Sequence, residues 1–200
     1  MGASVPTWSL NNSVVSRQTL AVNNLVRGSL DLSTAVRAKL FVYCGRGQVT
    51  ACANPIEIVV RALQGASVRR NPNNNRGRIG NTGTAVIPTL SASTSAGDTT
   101  FGVSSGTSIA RGQVLCVGYN TANMEFIRVA SISGTTITPD SPLINAHTSG
   151  DTVSTYADVW EIQLPGGSVY DVVFDYCASA TGPTLCIQAV ADIYTQDTLS

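Results

Sequence analysis

The clearest order in this chain is an alternation of apolar and polar positions over short runs, each run ended by turn residues. In 56–63 (IEIVVRAL), Ile56, Ile58 and Val60 share one face while Glu57 and Arg61 point the other way. Residues 38–44 (AKLFVYC) read as a strand closed by the turn GRGQ at 45–48. Upstream, 13–22 and 26–32 read as two more, separated by Asn23-Asn24. Near the end of the chain, Trp160, Ile162 and Leu164 alternate with Glu161 and Gln163 in 158–164. Tyr170, Val172, Phe174 and Tyr176 alternate with Asp171 and Asp175 in 168–176, and Leu185, Ile187, Ala189, Ala191 and Ile193 line one face of 184–194. Such runs predict antiparallel strands with one wet face. No helix-like apolar pattern extends far enough for a bundle or a doubly wound α/β enzyme.

Two segments break the rhythm. Residues 64–83 (QGASVRRNPNNNRGRIGNTG) are polar and rich in Arg, Asn and Gly, which predicts a long exposed loop. After a strand near 84–90 and the small-residue linker SASTSAG, a stretch with its own pattern opens on Gly-Asp-Thr at 97–99 and repeats that tripeptide at 150–152. It holds strands at 113–117 and 124–130 and a hairpin around Ser133-Gly134. The expected organisation is therefore an all-β chain: a β-sandwich of jelly-roll type formed by 1–96 and 153–200, interrupted by a small β-barrel-like module at 97–152.

Composition sharpens this picture. Ser and Thr number 21 and 22, with 18 Gly and 13 Asn, while charged residues are only 12% and Lys39 is the sole lysine. Zero net charge conceals a division: residues 1–97 carry +8 and residues 98–200 carry −8. Such a chain offers complementary patches to copies of itself. A surface poor in long charged side chains also loses little side-chain entropy on burial at an interface. The opening MGASVPTWSL lacks a secretory pattern, and Pro6 stands where myristoylation needs Ser or Thr. No run is apolar for long enough to span a membrane as a helix.

Candidate chemistry is sparse. The sole histidine, His147, lies in INAHTSG; Asp140 or Asp151 could pair with it, but a solvated loop histidine is the expectation. Glu57, Glu125 and Glu161 lie on separate strands with nothing in the sequence to join them. HExxH, the P-loop and GxGxxG are absent, and neither an enzyme, a cofactor site nor a metal site is expected. Five cysteines at irregular spacing form no CxxC. The acid-free run from Arg61 through Arg69, Arg70, Arg76 and Arg78 is the least ordinary feature. It reads as a protein-docking loop, since Arg forks match carboxylates. Nucleic acid is disfavoured because no aromatic residue interleaves with these arginines.

A hairpin joining 168–176 to 184–194 through Thr181-Gly182 sets Cys177 opposite Cys186, Asp171 opposite Asp192 and Asp175 opposite Gln188. Cys177 and Cys186 are then close enough to bridge, although paired thiols are the expected state in a reducing cytoplasm. Two opposed carboxylates need a counter-charge. Asp171, Asp175 and Asp192 are accordingly expected to meet Arg69, Arg70, Arg76 or Arg78 of a neighbouring subunit.

The run SRQTLAVNNLVRGSLDLSTAVRAKLFVYCGRG at 16–47 resembles the opening of small structural proteins of tailed bacteriophages. The segment with Gly-Asp-Thr-Thr, Ala-Arg-Gly-Gln-Val, Glu-Phe-Ile-Arg-Val and Ser-Gly-Thr-Thr-Ile-Thr is similar to a recurrent virion module. The resemblance implies a capsid decoration (cement) protein that binds the major capsid protein at the virion surface, assembled in the host cytoplasm, as a homo-oligomer with a trimer favoured. Tail, connector or fibre-attachment components are the alternatives within that class. Outside it stands a carbohydrate-binding β-sandwich, which would need a cluster of exposed aromatic residues.

Overall fold

The computed structural model describes residues 6–21, 24–46, 56–62, 67–70, 87–176 and 184–196. Among the described residues the regular structure is strand alone, in three antiparallel sheets, none closed into a barrel. Sheet A runs in the order β1 (Pro6–Leu20), β13 (Leu185–Gln196), β3 (Arg37–Arg46) and β11 (Tyr156–Pro165). Sheet B runs β2 (Leu25–Asp31), β12 (Val169–Tyr176), β4 (Ile56–Ala62) and β5 (Ser67–Arg70). Sheet C runs β10 (Val153–Ser154), β7 (Val114–Val117), β8 (Glu125–Ser133), β9 (Thr136–Pro139) and β6 (Phe101–Gly102).

The alternation read from the sequence decides which face each strand buries. One core draws Leu40 and Val42 from β3, Ile187 and Ala189 from β13, and Ile162 and Leu164 from β11. The same core takes Ile58 and Val60 from β4 and Tyr170, Val172, Phe174 and Tyr176 from β12. Sheets A and B thus share their apolar faces. Sheet C has a separate core around Leu115, Val117, Val129 and Ile137.

Three expectations change. First, β12 and β13 do not form a hairpin. β12 lies between β2 and β4, and β13 lies between β1 and β3 in the other sheet. Alternation fixes which face is buried but not which strand lies alongside, so the Asp171–Asp192 and Asp175–Gln188 pairings were not constrained by it. Second, part of the Arg-rich stretch expected as loop, Ser67–Arg70, is an edge strand of sheet B. Third, β1 starts at Pro6 rather than near residue 13. Asn11 adopts φ +56° and three register shifts interrupt the ladder, so β1 is one long edge strand with irregularities inside it.

The expected barrel-like module is an open sheet whose edges are β10 and β6; Thr89 and Leu90 make isolated bridges to Thr152 and Val103. Its repeated tripeptide has a plain cause. In Ser95–Asp98 and Thr148–Asp151 the third residue is a glycine at φ +91°, which a turn of this shape requires. The following aspartate accepts a hydrogen bond from the N–H three residues back, at 2.8 Å for Asp98 and 2.9 Å for Asp151.

The sheet assignment of β12 is directly testable. In Arg61→Cys/Asp171→Cys the new thiols occupy directly opposed positions on β4 and β12 and should bridge on oxidation. Asp171→Cys/Asp192→Cys, placed in two different sheets, should give no such bond by peptide mapping. The reverse result restores the hairpin.

Candidate functional site

The outer face of sheet A is graded along its strands. At one end Thr19, Cys186, Gly45 and Ala157 form a cross-strand row; the next row includes Gln188, Tyr43 and Val159. Farther along come Val190, Phe41 and Glu161, then Asp192, Lys39 and Gln163. Trp8, Tyr194, Arg37 and Pro165 complete the series. The first rows are covered by sheet C. Val114, Cys116 and Met124 pack with Ala157 and Cys186, joined by Tyr43, Tyr119, Phe126 and Val159. Tyr43 and Phe126 stack with centroids 5.2 Å apart. Burial raises the Tyr43 pKa, with nearby Arg128 opposing the shift. At the seam a Cβ on Gly45 would lie 2.9 Å from Cys186 Sγ and 3.1 Å from Ala157 Cβ, so a side chain there would crowd its cross-strand neighbours on both sides.

Polar groups complete the seam. Gln113 Nε2 donates to the Thr155 carbonyl at 3.1 Å, and Tyr119 donates its hydroxyl proton to the Thr184 carbonyl at 2.6 Å. Ser154 Oγ donates to the carbonyl of Arg46, whose guanidinium lies 4.4 Å from the Tyr156 ring centroid. Where the cover ends, Glu161 receives Lys39 at 2.9 Å and Arg128 at 2.8 Å. The Lys39 hydrogen bond, reinforced by both charges, draws the Glu161 pKa below its ordinary value. Beside this bridge a cleft of about 770 Å³ opens between the sheets. Its floor includes Lys39, Phe41, Tyr43 and Val190, and its wall includes Phe126, Arg128, Asp140 and Pro142.

The sole histidine corrects the expectation of a solvated loop. His147 has a fully buried side chain, and Nε2 lies 2.8 Å from Oε1 of Glu125, itself only 2% exposed. Asp151 is 4.0 Å from Nδ1; Glu125 is the closer partner, and sequence distance hid it. Glu125 also accepts the N–H groups of Ile144 and Asn145 at 2.9 and 3.0 Å. Burial works to raise the Glu125 pKa, but the His147 and backbone hydrogen bonds outweigh it and hold the carboxyl below its ordinary 4.5. The pair anchors the segment after β9 onto β8. Its buried position gives it no reacting partner from solution.

The described docking residues inferred from sequence divide between two sheets: Asp171, Asp175, Arg69 and Arg70 belong to sheet B and Asp192 to sheet A. Asp171 lies opposite Arg61 on β4 and pairs with it at 3.1 Å. Asp175 is opposite Leu25 and Glu57 on the same sheet. Asp192 stands on sheet A opposite Lys39, and accepts the Asn11 N–H at 2.9 Å. Arg69 and Arg70 occupy β5 opposite Val59 and Ile58; Arg76 and Arg78, like Cys177, lie outside the described residues. Cys186, expected on a polar face beside Cys177, is instead buried at the seam 3.0 Å from Cys116.

Sequence reasoning missed the Trp8 cluster. Trp8 is 45% exposed; its ring centroid is 5.0 Å from that of Tyr194, and the Arg37 guanidinium lies 5.1 Å from the Tyr194 centroid. The Thr-Trp-Ser-Leu alternation at 7–10 was a usable signal, left out by a first strand expected to begin at residue 13.

Fold and surface together define an all-β protein of antiparallel sheets whose open features among the described residues include a cleft and a partly exposed aromatic cluster. Comparison with protein-family models, with curated proteins and with solved structures gives no match.

Replacing Glu125 by Ala leaves the buried His147 and two part-buried N–H groups without their acceptor and should cost about 3 kcal/mol by urea denaturation. The depressed carboxyl stabilises the fold above pH 4.5, and that contribution is lost as pH falls through the folded pKa. Glu125→Gln should remove the acid-sensitive part while retaining a side-chain acceptor. Equal acid sensitivity in wild type and Glu125→Gln would assign the effect to other carboxylates.

Proposed function

We propose that this chain is a structural protein of a bacteriophage particle, a β-sandwich of jelly-roll type that binds the major capsid protein as a decoration, or cement, protein. One observation carries the reading: most carboxylates with identified contacts hold backbone N–H groups, while several arginines near open sheet edges have no carboxylate partner among the described residues. Asp31, Asp98, Asp151 and Asp192 each accept a backbone N–H, and Glu125 accepts two. Lys39–Glu161 and Arg61–Asp171 join the basic and acidic parts of the chain internally.

Arg17 and Arg27 lie on β1 and β2, the edge strands of sheets A and B, and Arg37 lies at the start of β3. None of the three has a carboxylate within ion-pair distance among the described residues. A partner that brings its own carboxylates suits these arginines, since most described acids of the chain itself are already engaged. The edge itself invites pairing: β1 spans fifteen residues and exposes Trp8 and Leu10. A surface rich in Ser, Thr and Asn costs little entropy to immobilise in a lattice. Trimerisation belongs to the same proposal, since decoration proteins follow the symmetry of the lattice they bind.

The test is association with purified capsids. Wild-type protein should bind with a stoichiometry that scales with the capsid lattice, and Arg17→Glu/Arg27→Glu should weaken binding about tenfold or more, equivalent to about 1.4 kcal/mol. Binding at a single vertex would indicate a connector or tail component. Absence from virions and capsids alike removes the class.

The Trp8 cluster favours a second reading, a carbohydrate-binding sandwich. Trp8 and Tyr194 form an exposed aromatic surface, and Arg37 lies two residues along β3 from Lys39 in the cleft. Sugar rings pack against such faces through their apolar C–H groups. Titration with neutral oligosaccharides should then change tryptophan fluorescence, and Trp8→Ala should lose both the binding and the signal. A silent wild-type protein rejects this reading and leaves the first intact.

A further inference from the structure

We propose that Cys116 and Cys186 form an oxidation site, at which hydrogen peroxide joins the two thiols into a disulfide that fastens sheet C to the outer face of sheet A. The pair lies across the seam. Cys116 belongs to β7, opposite Phe126 on β8 and Ser154 on β10. Cys186 belongs to β13, opposite Thr19 and Gly45. Their Sγ atoms are 3.0 Å apart, and both residues are fully buried. A bond requires them to close by only about 1 Å.

The surroundings select this pair. Gly45, the cross-strand neighbour of Cys186, leaves room for its sulfur beside Cys116: a Cβ at position 45 would lie 2.9 Å from Cys186 Sγ and crowd it. Cys44, the other buried thiol among the described residues, belongs to the core shared with sheet B, on the opposite face of sheet A. The sheet's own backbone separates it from the pair.

The chemistry balances in two steps. Peroxide oxidises one thiol to a sulfenic acid and is reduced to water. The neighbouring thiol then attacks that sulfur, forming the S–S bond and releasing a second water. Overall two thiols and one peroxide give one disulfide and two waters. Burial raises the Cys186 pKa and suppresses the thiolate, so the first step is slow and proceeds as the seam opens transiently. The same exclusion protects the bond from reductants once formed. It would link residues 70 positions apart, a long loop whose closure restricts the unfolded chain. Reduced inside a cell and oxidised outside it, the chain would thus gain a staple after assembly.

The experiment needs only the full chain. Protein purified under reducing conditions is treated with stoichiometric hydrogen peroxide, blocked, and digested with trypsin and chymotrypsin without reduction. The expected product is a cross-link between a Cys116 peptide from within 112–128 and a peptide containing Cys186, present also in Cys177→Ser. Three of the five thiols remain titratable in denaturant. The oxidised protein should unfold at higher urea than the reduced one, and reduction in the unfolded state followed by refolding should cancel the shift. A Cys177–Cys186 bond, any other pairing, five remaining thiols, or recovery of Cys116 and Cys186 as sulfinic or sulfonic acids each overturns the proposal. The wild-type map decides the question even where Cys116→Ser folds poorly.

Discussion

One end of sheet A must be covered on both faces, and much of the architecture depends on that requirement. Leu185, Ile187 and Cys44 face the core shared with sheet B, while Cys186, Gly45 and Ala157 point outward with no charge among them. β7 supplies the outer cover. It is buried at all four positions, with Val114 and Cys116 against sheet A and Leu115 and Val117 in the core of sheet C. Apolar area withdrawn from water contributes roughly 25 cal/mol per Å², so a strand buried on both sides ties two cores together more strongly than surface ion pairs do.

Charge is deployed on a local scale. The aspartates at the two Gly-Asp-Thr sites hold turns, Glu125 holds the segment after β9, and Asp192 holds the irregular part of β1. Each replaces water at a backbone N–H that has no strand partner, which is what a loop-rich all-β chain needs. Lys39–Glu161 and Arg61–Asp171 join the basic and acidic halves directly. Their unequal employment, acids on the backbone and arginines near sheet edges, is the more consequential asymmetry.

Much of the strand content was legible because a period of two is hard to mistake. Ile58 and Val60, Ile162 and Leu164, and Tyr170 through Tyr176 all bury the face that the alternation indicates. The unbroken run at 114–117 also carried its message, since a strand buried on both faces has no reason to alternate. Strand partners were not legible. β12 and β13 are nearest in sequence yet belong to different sheets, and a false hairpin register followed from assuming otherwise. The His147–Glu125 pair was hidden for a related reason: 22 residues separate its members, and only the folding of sheet C brings them together. Trp8 was missed because the first strand was expected to begin at residue 13, beyond Asn11, whose backbone is left-handed.

The central claim is that the seam at Gly45, Cys116 and Cys186 makes sheet C and sheet A one cooperative unit. Hydrogen exchange followed by mass spectrometry across a urea series, on the reduced protein, tests it most directly. The account predicts that peptides from β7 and β8 lose protection at the same urea concentration as peptides from β3 and β13. Loss of protection in β7 and β8 at distinctly lower urea, with β3 and β13 still protected, would contradict it.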